Sequence, residues 1–276
     1  MTPFDGKSQT SYFHFYSRAQ VRFLLFRIMN MPGVYITRGM TVSIPNLAIR
    51  VRDDGGIEAD PITLHVRFDV CPTWIQIAKR HLENALIAKA NREIAWQGTD
   101  ESLKVQTLEA EFEASMQAIM AAAISWDAAY AVLQEQGIVT PSVIRQWRKN
   151  RTARHIQIAE TVRQAFSLKP KVASGFRANI KEIYRCRDLA VHPSGKIDAP
   201  MLHPELNLGM EWRFVYFSAK NAELIVLSAA GMLWELAHNG KSKYQQITEY
   251  QEALVARLEE IFPDGPQKLP VNTQKT

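Results

Sequence analysis

Residues 101–136 read ESLKVQTLEAEFEASMQAIMAAAISWDAAYAVLQEQ. Leu103, Leu108, Phe112, Met116, Ile119, Ile124, Ala128 and Leu133 recur at helical spacing, so the stretch predicts one long amphipathic helix. The alanine run 121–123 lets a neighbouring helix approach closely, and Gly137 is the residue type that ends a helix. A helix of this length needs partners, and the sequence on both sides supplies them.

Upstream, Ile75, Ile77, Ala78, Leu82, Leu86 and Ile87 mark a helix over about 73–94, opened by Pro72 and separated from the long one by Gln97-Gly98-Thr99-Asp100. Downstream, Thr140-Pro141 starts a helix expected to run to about Leu168. Another covers about 171–190 and is stopped by Pro193, Ser194 and Gly195. After an irregular stretch with Pro200 and Pro204, residues 212–217 read as a short strand, 219–237 as a strongly apolar helix and 242–261 as the last helix. Before residue 72 the pattern changes. Val21, Phe23 and Leu25, then Thr41–Ile44, Ile49–Arg52 and Ile62–Phe68 read with strand periodicity, with a turn at Asp53-Asp54-Gly55-Gly56. The expected class is α+β: a β-rich N-terminal unit over 1–71, a helical bundle over 72–262, and a polar, disordered tail over 263–276.

Composition removes several function classes. With 276 residues, 46% hydrophobic and 22% charged, the chain can bury a substantial core and has no disordered, collagen-like or coiled-coil bias. Cys71 and Cys186 are too few for a disulfide framework and stand apart from any Cys/His cluster, so a reducing, cytoplasmic setting is expected. The polar start, Met1–Thr10, is unlike a secretory leader, and no uninterrupted apolar stretch of membrane-spanning length is evident. The seven histidines show no metal-ligand spacing, and phosphate loops, dinucleotide fingerprints and nucleophile elbows are absent from the sequence, so no metal or cofactor is expected.

Charge is concentrated. Residues 141–192 hold twelve Lys/Arg against Glu160, Glu182 and Asp188, a local +9 in a chain of net +5. Such a field attracts polyanions, phosphate backbones first, although a solvated helix face has the same composition. Within it, Phe176, Ile180 and Ile183 form an apolar stripe whose next position is Arg187, a costly place for an unpaired guanidinium. Arg177, Lys181 and Arg185 form a second row, like charges that repel unless an anion lies over them. His192 follows Arg187 by five residues, which on an unbroken helix point about 140° apart. Either the helix ends before His192 or the two groups converge from two chains.

The run Arg187-Asp188-Leu189-Ala190-Val191-His192 resembles the signature of HEPN domains, in which Arg and a following polar residue precede a His late in one helix of an α-bundle. The resemblance spans roughly residues 72–262 as a helical pattern and rests on this one motif. It implies a metal-independent endoribonuclease, of the kind found among toxins and phage-defence effectors, whose two motif copies meet in a homodimer. By position, His192 transfers protons, Arg187 holds the scissile phosphate and Asp188 orients one of them; Arg177, Lys181 and Arg185 are the expected substrate-binding row. RNA is the implied substrate, an antitoxin or regulatory protein is a further partner, and a membrane is not. The chemistry needs no protein nucleophile, because the ribose 2′-hydroxyl attacks its own phosphate and leaves a 2′,3′-cyclic phosphate.

Two other classes compete. A non-catalytic module would bind nucleic acid or nucleotide, or serve as a scaffold. A helix-turn-helix around Gly137 would use Arg145, Arg148, Lys149, Arg151 and Arg154 to read DNA, although its flanking helices are longer than that motif needs.

Overall fold

The computed structural model describes residues 34–45, 49–51, 54–59, 63–192 and 195–267, in two compact units that divide between Asp69 and Val70. The expected strand at Val21–Leu25 and the end of the polar tail lie outside the described residues.

The N-terminal unit consists of two antiparallel pairs. Strand β1 (Met40–Ser43) pairs with β4 (His65–Phe68) in the register Met40 to Phe68 and Ser43 to His65. Between them, β2 (Ile49–Val51) pairs with β3 (Ile57–Ala59) around Gly55, whose φ of 80° suits a tight turn. Ile44, Ile49, Leu64, Val66 and Phe68 are exposed in this unit.

The second unit is a bundle of α1 (Cys71–Ala95), α2 (Glu101–Glu135), α3 (Pro141–Lys149), α4 (Arg154–Ala165), α5 (Pro170–Val191), α6 (Trp212–Tyr216), α7 (Ala219–Asn239) and α8 (Gln245–Ile261). A two-residue hairpin, β5 (Met201–Leu202) with β6 (Gly209–Met210), sits between α5 and α6. The chain is thus mainly helical with small antiparallel β elements.

Helix α2 is central, packing on α1, α7, α5 and α4. Asp100 caps it by accepting from the amides of Ser102 and Leu103, at 2.9 and 3.1 Å. Ala121, Ala122 and Ala123 are buried, and Trp126 meets Phe176 of α5 edge to face at 5.2 Å. By length and composition α2 also passes for a membrane-crossing helix, but 67% of its apolar window is buried inside the bundle.

Two local expectations are corrected. The helix expected over 141–168 is two helices, because α3 ends at Asn150 and Arg151 turns to φ 50°, with the Thr152 amide donating to the Trp147 carbonyl at 2.9 Å. That is a glycine-type helix stop made by arginine, so nothing in the composition marks it. Residues 212–217, expected as a strand, form α6 and its C-cap, Phe217. Glu211 caps it through the Arg213 amide at 2.8 Å, and Phe214 and Phe217 both pack on Phe112, with ring centroids 4.9 and 5.9 Å away. Tertiary burial of the aromatic rings overrides the short-range alternation.

Candidate nucleic-acid interface

Helix α5 forms because Pro170 fits its first turn and Phe176, Ile180, Ile183 and Cys186 bury one stripe against the bundle. Arg187 continues that stripe only at its margin, with 27% of its side chain exposed. Its Nε and Nη2 donate to Asp188 Oδ1 at 3.0 and 2.7 Å, and its guanidinium lies 4.8 Å from the Tyr184 ring centroid. Nη1 stands 3.7 Å from Asp127 Oδ2 on α2. Asp127 also meets Arg154 of α4, with Nε 3.3 Å from Oδ1, and Arg154 lies 4.9 Å from the Tyr130 centroid. Burial, with Asp127 nearby, pushes the Tyr184 hydroxyl well above its ordinary range, so it stays protonated.

His192 caps the end of α5, exposed, with its backbone amide donating to the Asp188 carbonyl at 2.9 Å. The helix is unbroken through Val191. His192 itself leaves helical geometry, at φ −121° and ψ 67°. Of the two alternatives posed by the spacing, the helix does end before His192.

The basic segment divides into paired and unpaired charge. Arg154, Arg163, Arg185 and Arg187 pair with Asp127, Glu160, Glu182 and Asp188. Arg145, Arg148, Lys149, Arg151, Lys169, Lys171, Arg177 and Lys181 are exposed and make no ion pair among the described residues. Of the expected substrate-binding row, Arg177 and Lys181 are thus free for an anion, while Arg185 is bidentate to Glu182 and stacked over Tyr216 at 5.3 Å.

Three residues outside the expected catalytic and substrate-binding set join this face. His155 on α4 is half-buried, and burial together with Arg177 and Lys181 holds its imidazole below the ordinary range, with Asp188 opposing. It is neutral near pH 7, within the field of the same two cations. Arg154 counted only as one of several helix-turn-helix cations. Asp127 was overlooked, yet it is the sole charged residue between Glu113 and Glu135, and a lone carboxylate in an apolar run needs a cationic partner.

A second charged cluster lies elsewhere in the bundle. Arg92 of α1, 1% exposed, donates to Glu111 of α2 and to Glu205 of the β5–β6 turn; Lys89 reaches the other Glu205 oxygen at 2.7 Å. Glu111 also accepts the Ala219 amide at the start of α7, at 3.0 Å. His203 is buried beside them. Its Nδ1 accepts the amides of Glu205 and Leu206 at 3.2 and 3.3 Å, and burial, then Arg92, lowers its pKa. Burial alone would raise the Glu205 carboxyl, but hydrogen bonds from Lys89 and Arg92 hold it below its ordinary value. His203 is a loop residue of this cluster.

Among the described residues, no three His, Cys, Asp or Glu side chains converge as a metal site. Neither cysteine is in a disulfide, and both are buried. Comparison with protein-family models, with curated proteins and with solved structures finds no match for this chain.

Proposed function

We propose that this chain binds RNA along α3–α5 and, as a two-fold homodimer of HEPN-like bundles that brings two α5 ends together, cleaves it without a metal. The observation that carries the reading is the row of unpaired cations leading to the end of α5, where Arg187, Asp188 and His192 stand at the surface. Unpaired exposed cations supply the salt-sensitive attraction for a phosphate backbone. At the dimer axis, His192 of one copy takes the proton of the 2′-hydroxyl as that oxygen bonds to phosphorus, an Arg187 guanidinium stabilises the charge developing on the phosphate, and the P–O5′ bond breaks with the 5′-oxygen taking a proton from water. Asp188 positions that guanidinium through its two hydrogen bonds. A symmetric pair supplies two arginines and two histidines, which one chain does not.

The test is incubation of the purified protein with total or transfer RNA in EDTA. Fragments ending in 2′,3′-cyclic phosphate are expected from the native chain and not from His192→Ala. Activity that needs magnesium, or survives this substitution, overturns the nuclease reading.

A second reading, RNA binding without cleavage, is favoured by one feature: Arg187 is already engaged by Asp188 and lies near Asp127. Retention of intact RNA by native protein and His192→Ala alike selects this reading.

A further inference from the structure

Asp127 lies between two arginines from two different helices. Its Oδ1 faces Arg154 Nε of α4 at 3.3 Å and its Oδ2 faces Arg187 Nη1 of α5 at 3.7 Å. Each guanidinium rests on a tyrosine ring of its own, Arg154 on Tyr130 and Arg187 on Tyr184. The rings are themselves fixed. Tyr130 and Tyr184 are 4% and 2% exposed, and the Tyr130 hydroxyl stands 3.2 Å from both Gln157 Oε1 and Gln134 Nε2. Gln157 in turn holds the Thr152 carbonyl at 2.6 Å and accepts weakly from Arg154 Nη1 at 3.4 Å.

The outer parts of both arginines remain at the surface, with 46% and 27% of the side chains exposed. A guanidinium has five N–H donors; Arg154 turns Nε to Asp127, and Arg187 turns Nη1 to Asp127 and Nε and Nη2 to Asp188, which leaves donors on both. From this arrangement we infer that Arg154 and Arg187, spread by Asp127 and backed by Tyr130 and Tyr184, form a two-arginine clamp for one phosphodiester of single-stranded RNA.

The inference rests on the RNA-binding reading above and sharpens it, because it makes Arg154 a named phosphate contact alongside the motif arginine. Much of the entropy cost of ordering two long side chains is met before the ligand arrives, since ion pairing and stacking already restrict both. Unpaired Arg177 and Lys181, by contrast, offer attraction without fixed geometry. The clamp places one phosphate; the surrounding cations draw the rest of the strand.

The test uses the full chain and an end-labelled, fully 2′-O-methylated oligouridylate, which has no 2′-hydroxyl nucleophile and so reports binding alone. Affinity is measured by anisotropy over a range of salt, with urea unfolding as a check of folding. Arg154→Ala and Arg187→Ala are each expected to weaken binding about tenfold, as loss of a charge-assisted contact does. The double variant should weaken it by less than the product of the two, because both act on one phosphate. Arg154→Lys should behave like Arg154→Ala, since an ammonium cannot face Asp127 and a phosphate in the same fork.

Arg154 is nearly half exposed, so its variants carry the test even if Arg187→Ala loses stability. Native-like affinity and salt dependence in Arg154→Ala, with binding lost in Arg177→Ala/Lys181→Ala, overturns the clamp and leaves the RNA-binding reading standing. Full retention by Arg154→Lys reduces Arg154 to a point charge and also overturns it. No binding by the native chain overturns both.

Discussion

Two clusters of charge in this bundle obey opposite rules. Around Arg92, charges are drawn inside and matched by Glu111 and Glu205, with the Ala219 amide and a neutral His203 completing the set. Along α3–α5, eight cations stand in solvent without an ion pair among the described residues. The first arrangement uses polarity to join α1, α2, the β5–β6 turn and the start of α7. The second leaves its charge unspent, which is what a surface for a polyanion requires. Counting lysines and arginines does not distinguish the two; only their partners do.

The contrast breaks most visibly at Glu111. Glu111→Ala strands the Arg92 guanidinium in the interior and removes the acceptor of the Ala219 amide, so a loss of about 3–5 kcal/mol is expected in urea unfolding. A loss below about 1 kcal/mol, on the scale of an exposed pair, would show that the interior cluster is not structural.

On the other face the expectation is reversed. Arg177→Ala/Lys181→Ala should change stability by no more than about 0.5 kcal/mol, because neither side chain is paired or buried. It should lower the slope of RNA affinity against salt by about 1.4, the share of two single-strand phosphate contacts. An unchanged slope would mean these cations are merely solvated.

Acidity separates the clusters more finely. The folded pKa of His203 lies below its ordinary 6.5, chiefly through burial and then through Arg92, so the unfolded chain takes up this proton first. The stability His203 contributes is fully present above pH 6.5 and drains away as the pH falls through that value toward the lower folded one. His203→Asn keeps an acceptor for the Glu205 and Leu206 amides but does not titrate. Its unfolding midpoint should therefore fall less than the native one between about pH 7 and pH 5; parallel curves would remove His203 from the account. Lys89, Glu111 and Glu205 face the same ring and remain in both proteins, so the difference isolates the imidazole.

The smallest effect belongs to Arg185. It is exposed and paired with Glu182, so Arg185→Ala should cost less than about 1 kcal/mol and leave RNA affinity within about twofold of native. A loss matching that of Arg177→Ala/Lys181→Ala would restore it to the binding row with Arg177 and Lys181.

Much of the bundle was legible because it depends on local periodicity. The long α2, the helices on either side of it and the buried stripe Phe176, Ile180, Ile183 follow from apolar spacing, with Pro141, Pro170 and Gly137 as punctuation. The break at Arg151 was hidden because a non-glycine residue takes the positive φ, and α6 because its aromatic rings are organised by Phe112, about a hundred residues earlier in the chain. Asp127 left a trace, a single charge in an apolar run, but nothing local names its partners.

By itself the sequence determined where most of the helical segments lie and that positive charge gathers in residues 141–192, because both properties belong to neighbours along the chain. Tertiary structure alone decided which charges are paired. It brought Asp127 to Arg154 and Arg187, closed Glu111 and Glu205 on Arg92, and left Arg177 and Lys181 open to solvent. The physical reason is range: side-chain periodicity acts over a few residues, whereas an ion pair depends on a distance of a few ångströms between groups from separate helices, which only packing sets.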